Sequence, residues 1–388
     1  MRWVLKIVLI AACMIAAVYS YAEDDITPII GYVLTAPRLA HMSDGKYCVN
    51  YELVIANATK SDYSLEEIRV VNPARSDELL KTLKADEIIR QGYVPGKENF
   101  ASKIMSGKSG YIKINLTFDS KDAIPEEVEH IVTASADVPL PLVPQPAIGR
   151  IGRSKVSSEP VVVIGPPLRG SNWAACVVGA DGYHRNTVMP IGGTWVAPER
   201  WAVDWIQFGE GKKLLTGAIE KNGSYPQYGR EIIAVADGFI ESAQDDMPDI
   251  PAGKAPELKS LDDAAGNCIV QDIGGGFYAL YAHLQPGSLK VKKGDAVKKG
   301  QVVALLGNSG NTTGPHLHFH IIRGKSPLGS DGIPYVIDSF TVRGTALSAD
   351  GLQTELERGE VVAIRAAKDD GPRSMEMPAD LSVVDFEK

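Results

Sequence analysis

The first regular pattern along the chain has a period of two. Tyr47, Val49, Tyr51, Leu53 and Ile55 fall on every second position of one run, and Ile112, Ile114, Leu116 and Phe118 alternate with Lys113, Asn115 and Thr117 in another. In an extended strand successive side chains point to opposite faces, so each run predicts a strand with one apolar face, paired in a half-buried antiparallel sheet. The segment Ser106-Gly107-Lys108-Ser109-Gly110 supplies a turn before the second run. These strands predict a small immunoglobulin-like β-sandwich over residues 23–140, in which residues 76–83 form one short helix with Ser76 as N-cap.

A proline-rich stretch over 141–160 predicts an extended linker. From 161 to 345 strand-like runs and glycine turns recur with almost no helical period, which predicts a second all-β unit. Within it, "VMPIGGTWVA" predicts a hairpin turning at Gly192-Gly193. The last segment, 346–388, carries nine acidic and five basic residues after Gly351 and predicts a charged, partly disordered tail.

One segment departs from this globular pattern. Arg2 and Lys6 lead into an apolar run from Ile7 to Val18, followed by Ser20-Tyr21-Ala22 and acidic residues. That layout predicts a secretory signal peptide over 1–22 with cleavage after Ala22, and hence export to a periplasmic or extracellular compartment. The run is shorter than the roughly 20 residues of a spanning helix, and no other long apolar run follows, so no transmembrane segment is expected in the mature chain. "IAAC" ending at Cys13 also resembles a bacterial lipobox, which makes a lipoprotein the second possibility. Without residues 1–22 the chain keeps 38 basic and 48 acidic residues, a net charge of about −10, which argues against nucleic acid as a partner. Cys48, Cys176 and Cys268 lack the close spacing of a cysteine metal site or a disulfide scaffold.

The chemistry concentrates in "GPHLHFH", residues 314–320. The chain has only seven histidines, and His316, His318 and His320 share one face of a predicted strand while Leu317 and Phe319 share the other. His283 follows a strand-like run, and His184 lies upstream in the same unit. A catalytic zinc site takes three protein ligands and leaves a position open for water, with a base and an oxyanion stabiliser nearby; this unit has imidazoles enough for both tasks.

Four segments in order resemble a known family: Tyr281-Ala282-His283-Leu284, Gly294-Asp295-Ala296-Val297-Lys298-Lys299-Gly300-Gln301, Gly307-Asn308-Ser309-Gly310 and His316-Leu317-His318-Phe319. Together they resemble the lysostaphin-type, LytM-like zinc metallopeptidases, peptidoglycan endopeptidases built on the duplicated hybrid motif β-fold. The resemblance implies His318 and Asp204, in "RWAVDWIQF", as zinc ligands. It implies His283 and His316 as general base and oxyanion donor. One position departs from the pattern. The family's first ligand lies four residues before the aspartate, where this chain has Arg200, a residue that cannot bind zinc. His184, the only upstream histidine of the unit, becomes the candidate third ligand, brought beside Asp204 by the intervening hairpin. His320 stands where relatives often carry an acidic residue, and either orients a ligand or ends the strand in water.

The expected function is that of an exported zinc metalloendopeptidase acting on a peptide bond of peptidoglycan stem or cross-bridge peptides. The rival, prompted by Arg200, is a metal-free relative that binds cell wall or activates a separate hydrolase.

Overall fold

Alternating side chains demand a partner layer for each apolar face, and the first unit meets that demand with two five-stranded antiparallel sheets. The computed structural model describes residues 26–94, 100–179, 183–346, 361–366 and 370–387; the expected signal peptide and Cys13 lie outside the described residues. One sheet runs Ile29–Val33, Tyr47–Asn57, Ser109–Phe118, Gly92–Tyr93, with Arg38–His41 also paired to Tyr47–Asn57. The other runs Ala147–Lys155, Glu127–Ala136, Tyr63–Asn72, Glu78–Lys84, with Lys103–Ile104 on Tyr63–Asn72. Val49, Tyr51, Leu53 and Ile55 of the first sheet meet Leu65, Ile68, Val70 and Val132 of the second in one core.

Two local expectations in this unit are corrected. Residues Glu78–Lys84 form a strand rather than the expected helix over 76–83, paired with Glu67–Asn72 so that Leu83 is buried. Ser76 is no N-cap: it follows the 3-10 turn Pro73–Arg75 with a left-handed φ of 51°. The cross-strand partner overrides the weak helical propensity of "ELLKTLK". The seven-residue helix comes directly afterwards, Ala85–Gln91. The expected linker is also shorter than 141–160, because Ala147–Lys155 pairs with Glu127–Ala136 and buries Ile151. Proline is missing from that segment, so every backbone donor the ladder needs is available.

The second unit is built on a twelve-stranded sheet whose central order is Gly238–Gln244, Cys268–Gly274, Phe277–Ala282, Leu317–Ile322, Val203–Gln207, Gly170–Cys176, Ser382–Phe386, Phe340–Ala346. Trp173, Trp201, Trp205, Tyr281, Phe319 and Tyr335 are fully buried in its core. The all-β class read from the sequence holds through both units. Within the tail expected to be partly disordered, Ser382–Phe386 is an ordered strand: it lies between Gly170–Cys176 and Phe340–Ala346, with Val383 and Val384 fully buried and the Phe386 ring 5.3 Å from Trp205. The net charge of the last segment hides a five-residue strand with three apolar side chains, Val383, Val384 and Phe386. The hairpin appears as read, Met189–Ile191 against Thr194–Val196, with Gly192 and Gly193 both at positive φ. Among the described residues no helix is long and apolar enough to cross a membrane.

The two units meet on the polar face of Tyr47–Asn57 and Ser109–Phe118, which alternation alone would assign to water. Glu52 and Lys113 stand opposite each other in register, and both are buried. Glu52 receives two guanidinium groups from the second unit. Its Oε1 accepts from Arg185 at 3.1 Å (Nε) and 2.8 Å (Nη2), and its Oε2 accepts from Arg200 Nε at 2.8 Å, with Arg200 Nη2 at 2.6 Å. Val54 and Tyr111 pack beside this cluster against Val188 and Ala197. Burial alone would raise the Glu52 carboxyl, but Arg200 and Arg185 outweigh it and hold it down at about 2.

A carboxyl whose folded-state pKa lies below its ordinary value of 4.5 stabilises the fold fully above that value, and the stabilisation is lost as pH falls towards about 2. The shift corresponds to on the order of 3 kcal/mol. Denaturant midpoints measured from pH 6 to pH 2 are expected to fall more steeply for the wild type than for Glu52→Gln. Parallel pH profiles for the two proteins would refute the assignment.

Candidate functional site

The strand Leu317–Ile322 sets the site because its two faces are chemically opposite. Leu317, Phe319 and Ile321 are fully buried in the main core, with Phe319 5.2 Å from the Tyr281 ring and 5.5 Å from the Tyr335 ring. Those contacts fix the strand's roll and direct His316, His318 and His320 to the other side. His318 is in register with Asp204 on one neighbouring strand and with Ala282 on the other, one residue before His283. Asp204 itself is anchored by Val203 and Trp205, both fully buried, on either side of it.

Every site residue proposed from the sequence converges here. Asp204 Oδ1 lies 3.0 Å from His318 Nδ1 and 3.4 Å from His316 Nε2, and Asp204 Oδ2 lies 3.3 Å from His184 Nε2. The His283 ring centroid is 4.7 Å from that of His316 and 5.8 Å from that of His318. His184 reaches the site from the 3-10 turn Tyr183–Asn186, with its ring 4.7 Å from His318 and edge-on to it. Arg200, at the position where the resemblance would put the first ligand, faces away and is bound to Glu52 and the Gly332 carbonyl.

The electrostatics follow from one buried carboxylate among imidazoles. Burial would raise the pKa of Asp204, but His184 and His316 overcome it and hold the group well below the ordinary carboxylate range. His184 shows the reciprocal effect. Burial would lower it, yet Asp204 raises it to about 9. His283 is pushed well below the ordinary value, first by burial and then by His316 and His318, so it is neutral. Its Nδ1 lies 2.8 Å from the Ser309 carbonyl oxygen, to which a neutral ring donates from Nδ1, and that leaves Nε2 as the acceptor. The His316 Nδ1 likewise lies 2.8 Å from the Gly314 carbonyl oxygen.

The "GNSG" loop read as part of a motif has a physical task here. A Cβ on Gly307 would come within 2.4 Å of the Gln285 backbone nitrogen, and one on Gly310 within 2.3 Å of the Gly266 nitrogen. Glycine at 307 lets the loop press against Leu284–Gln285 and glycine at 310 against Ala264–Gly266, and between them the Ser309 carbonyl reaches the His283 ring. His283 has φ 64°, a left-handed conformation held by its N–H bond to the Ala265 carbonyl at 3.0 Å. Backbone strain of this kind persists where the surroundings over-determine it.

Two residues at the site had escaped the sequence reading. The Tyr183 hydroxyl donates to Asp204 Oδ2 at 3.1 Å, and Glu199 lines the same cleft. Each neighbours a residue that was singled out, His184 and Arg200, but a lone tyrosine or glutamate has no pattern to flag it. His320, left open between two roles, is fully buried, with Nδ1 3.0 Å from His318 Nε2. It does not end the strand in water.

The donor set suits a transition-metal ion. His184, Asp204 and His318 each offer a ligand atom, and these lie within 4.8 Å of one another; His283, His316 and His318 form a second such group. With metal–nitrogen and metal–oxygen bonds of about 2.0–2.1 Å, ligand atoms of a tetrahedral site stand about 3.4 Å apart. Asp204 Oδ2 stands 3.3 Å from His184 Nε2 and Oδ1 stands 3.0 Å from His318 Nδ1, so each carboxylate oxygen has one imidazole near that edge length.

Part of this unit is similar to known proteins. The sequence profile of peptidase family M23 matches residues 224–329, a span that contains His283, His316 and His318 but begins after His184 and Asp204. A peptidoglycan DD-endopeptidase, ShyA, of Vibrio cholerae is 45% identical over 62 residues, 16% of this chain and 14% of the relative. An uncharacterized metalloprotease of Haemophilus influenzae is 40% identical over 103 residues, 26% of this chain and 18% of the relative. The chain thus spans less than a fifth of either relative's length. The catalytic domain of lysostaphin from Staphylococcus simulans aligns with 31% of this chain and 84% of its own, at 23% identity and a TM-score of 0.21. The likeness to peptidase family M23 thus rests on residues 224–329, which match that family's profile.

Proposed function

We propose that this chain is an exported zinc metalloendopeptidase that hydrolyses a peptide bond in peptidoglycan stem or cross-bridge peptides. The observation that carries the proposal is the convergence of ligand atoms of His184, Asp204 and His318 within 4.8 Å of one another, at a cleft lined by His184, His283, His316 and His318. The peptidoglycan substrate is drawn from what the named endopeptidase relative acts on, and export from the N-terminal pattern with its small residues before Ala22.

His184, Asp204 and His318 would hold the zinc ion. A zinc ion so held supplies Lewis acidity and lowers the pKa of bound water towards about 7. Asp204, ionised by its imidazole neighbours, gives the site its anionic ligand. His320 contacts the far nitrogen of His318 and fixes that ring, the part an outer partner plays for a ligand histidine. His283, neutral and pinned through Nδ1, presents Nε2 to take the proton from the attacking water and return it to the departing amine. His316, its side chain more exposed than those of His184 and His318, donates to the carbonyl oxygen as that atom gains charge. The metal-free alternative was motivated by Arg200, and that motive weakens because the guanidinium is engaged with Glu52 while His184 stands beside Asp204.

Purified full-length protein is expected to carry one zinc per chain and to release soluble fragments from peptidoglycan. His318→Ala is expected to lose both the metal and the hydrolysis; full activity in that variant would end the zinc mechanism. His283→Ala should separate the two properties, retaining zinc while hydrolysis falls by roughly 10²–10⁴-fold. Loss of zinc from His283→Ala would instead make His283 a ligand. For export, the mass of the protein recovered outside the cytoplasm should correspond to a chain starting at Glu23. A lipid-modified chain starting at Cys13 would show the lipoprotein route instead.

A further inference from the structure

His184 differs from its companions in how it is held. Asp204 and His318 lie on adjacent strands of the large sheet, with core aromatic residues on either side. His184 lies on a four-residue 3-10 turn, Tyr183–Asn186, whose polar anchors come largely from the other unit. Arg185, the next residue, is fully buried and reaches Glu52 through Nε and Nη2, the Tyr51 carbonyl through Nη2 at 2.8 Å, and Asn115 Oδ1 through Nη1. Lys113 Nζ donates to Asn186 Oδ1 at 2.8 Å, and the Tyr111 hydroxyl donates to the Arg185 carbonyl at 3.4 Å. Immediately beyond the turn, Val188 packs against Val54 and Tyr111. Residues 51–54 and 111–115 of the sandwich thus bracket the turn from below, while His184 projects from its other side towards Asp204.

We infer that Glu52, Lys113 and Asn115 are positioning residues for His184, so that the metal centre is complete only when the N-terminal sandwich is docked. The inference rests on the proposed reading of His184 as a zinc ligand. A chelate loses affinity when one ligand must be ordered at the moment of binding, because the ordering cost is then deducted from the binding free energy. Docking of the sandwich meets that cost in advance. Arg200 serves the same end from a second direction: it shares Glu52 and so holds the carboxylate where Arg185 finds it. Polar replacement of an outer partner typically costs 10–100-fold in metal affinity.

The test measures zinc affinity of the full chain by competition with a chromophoric chelator, alongside melting of the zinc-free protein. Glu52→Gln is expected to weaken zinc by roughly 10–100-fold, and Lys113→Met by about 10-fold. Lys113→Arg, which keeps a donor for Asn186, is expected to retain wild-type affinity. Ser43→Ala serves as a control, since Ser43 Oγ accepts from the Ala379 N–H at 2.9 Å between the same two units without touching the turn, Glu52 or Arg200. It should lower the melting temperature at most and leave zinc affinity unchanged.

Should Glu52→Gln fail to fold, Lys113→Met against Lys113→Arg decides. Wild-type zinc affinity in folded Glu52→Gln and Lys113→Met, with His184→Ala weakened, would overturn this inference and leave the ligand assignment standing. Unchanged affinity in His184→Ala would remove the ligand assignment, and the inference with it.

Discussion

The organisation of this protein depends on a single buried carboxylate, Glu52, shared by two arginines from the opposing unit. Moving a carboxylate and two guanidinium groups out of water is expensive, and their mutual attraction compensates only if the geometry is close and the remaining donors are satisfied. Here Arg185 also bonds Asn115 and the Tyr51 carbonyl, and Arg200 also bonds the Gly332 carbonyl. Such a cluster tolerates little displacement, since separating the two units would strand a charge on each side. Its contribution is therefore one of specificity: it permits one relative placement of sandwich and sheet, where an apolar interface of similar size would tolerate sliding.

The site repeats that logic with opposite sign. Asp204 is a buried anion held by the imidazoles of His184, His316 and His318 and the phenol of Tyr183. Imidazole can give up its proton and remain a ligand, and guanidinium cannot. A guanidinium in place of His184 would neutralise Asp204 permanently and leave no donor lone pair. The two arginines that belong to this region, Arg185 and Arg200, are both directed to Glu52 and away from Asp204. Glu52 can thus be seen as keeping permanent positive charge out of a site that requires exchangeable charge.

What could be read from the sequence was whatever a strand's period or a motif's spacing encodes. The division of His316, His318 and His320 from Leu317 and Phe319 followed from alternation alone, and the hairpin at Gly192-Gly193 followed from its turn residues. The use of Glu52 and Lys113 did not, because a polar residue on a strand's outer face ordinarily means water, and nothing within a few residues of Glu52 announces Arg185 or Arg200. Ser382–Phe386 was obscured in the same way: its partners, Gly170–Cys176 and Phe340–Ala346, are remote in sequence, and the surrounding charge dominated the composition. The strand Glu78–Lys84 shows the local form of the problem, since a seven-residue stretch of modest helical propensity takes its state from the strand beside it.

Arg200 brings these threads together. Judged by alignment to a motif, an arginine four residues before Asp204 is a lost ligand. In three dimensions the turn at 183–186 brings an imidazole beside Asp204, and position 200 sends a guanidinium to the interface that holds that same turn. The exchange carries a structural requirement. A ligand four residues from the aspartate is placed by the local chain, whereas one twenty residues away, across a hairpin, needs an external surface to fix it. On the proposed assignment of His184 as a ligand, the face of the sandwich bearing Glu52, Lys113 and Asn115 is that surface, which gives a physical reason for the N-terminal unit to be joined to this form of the site.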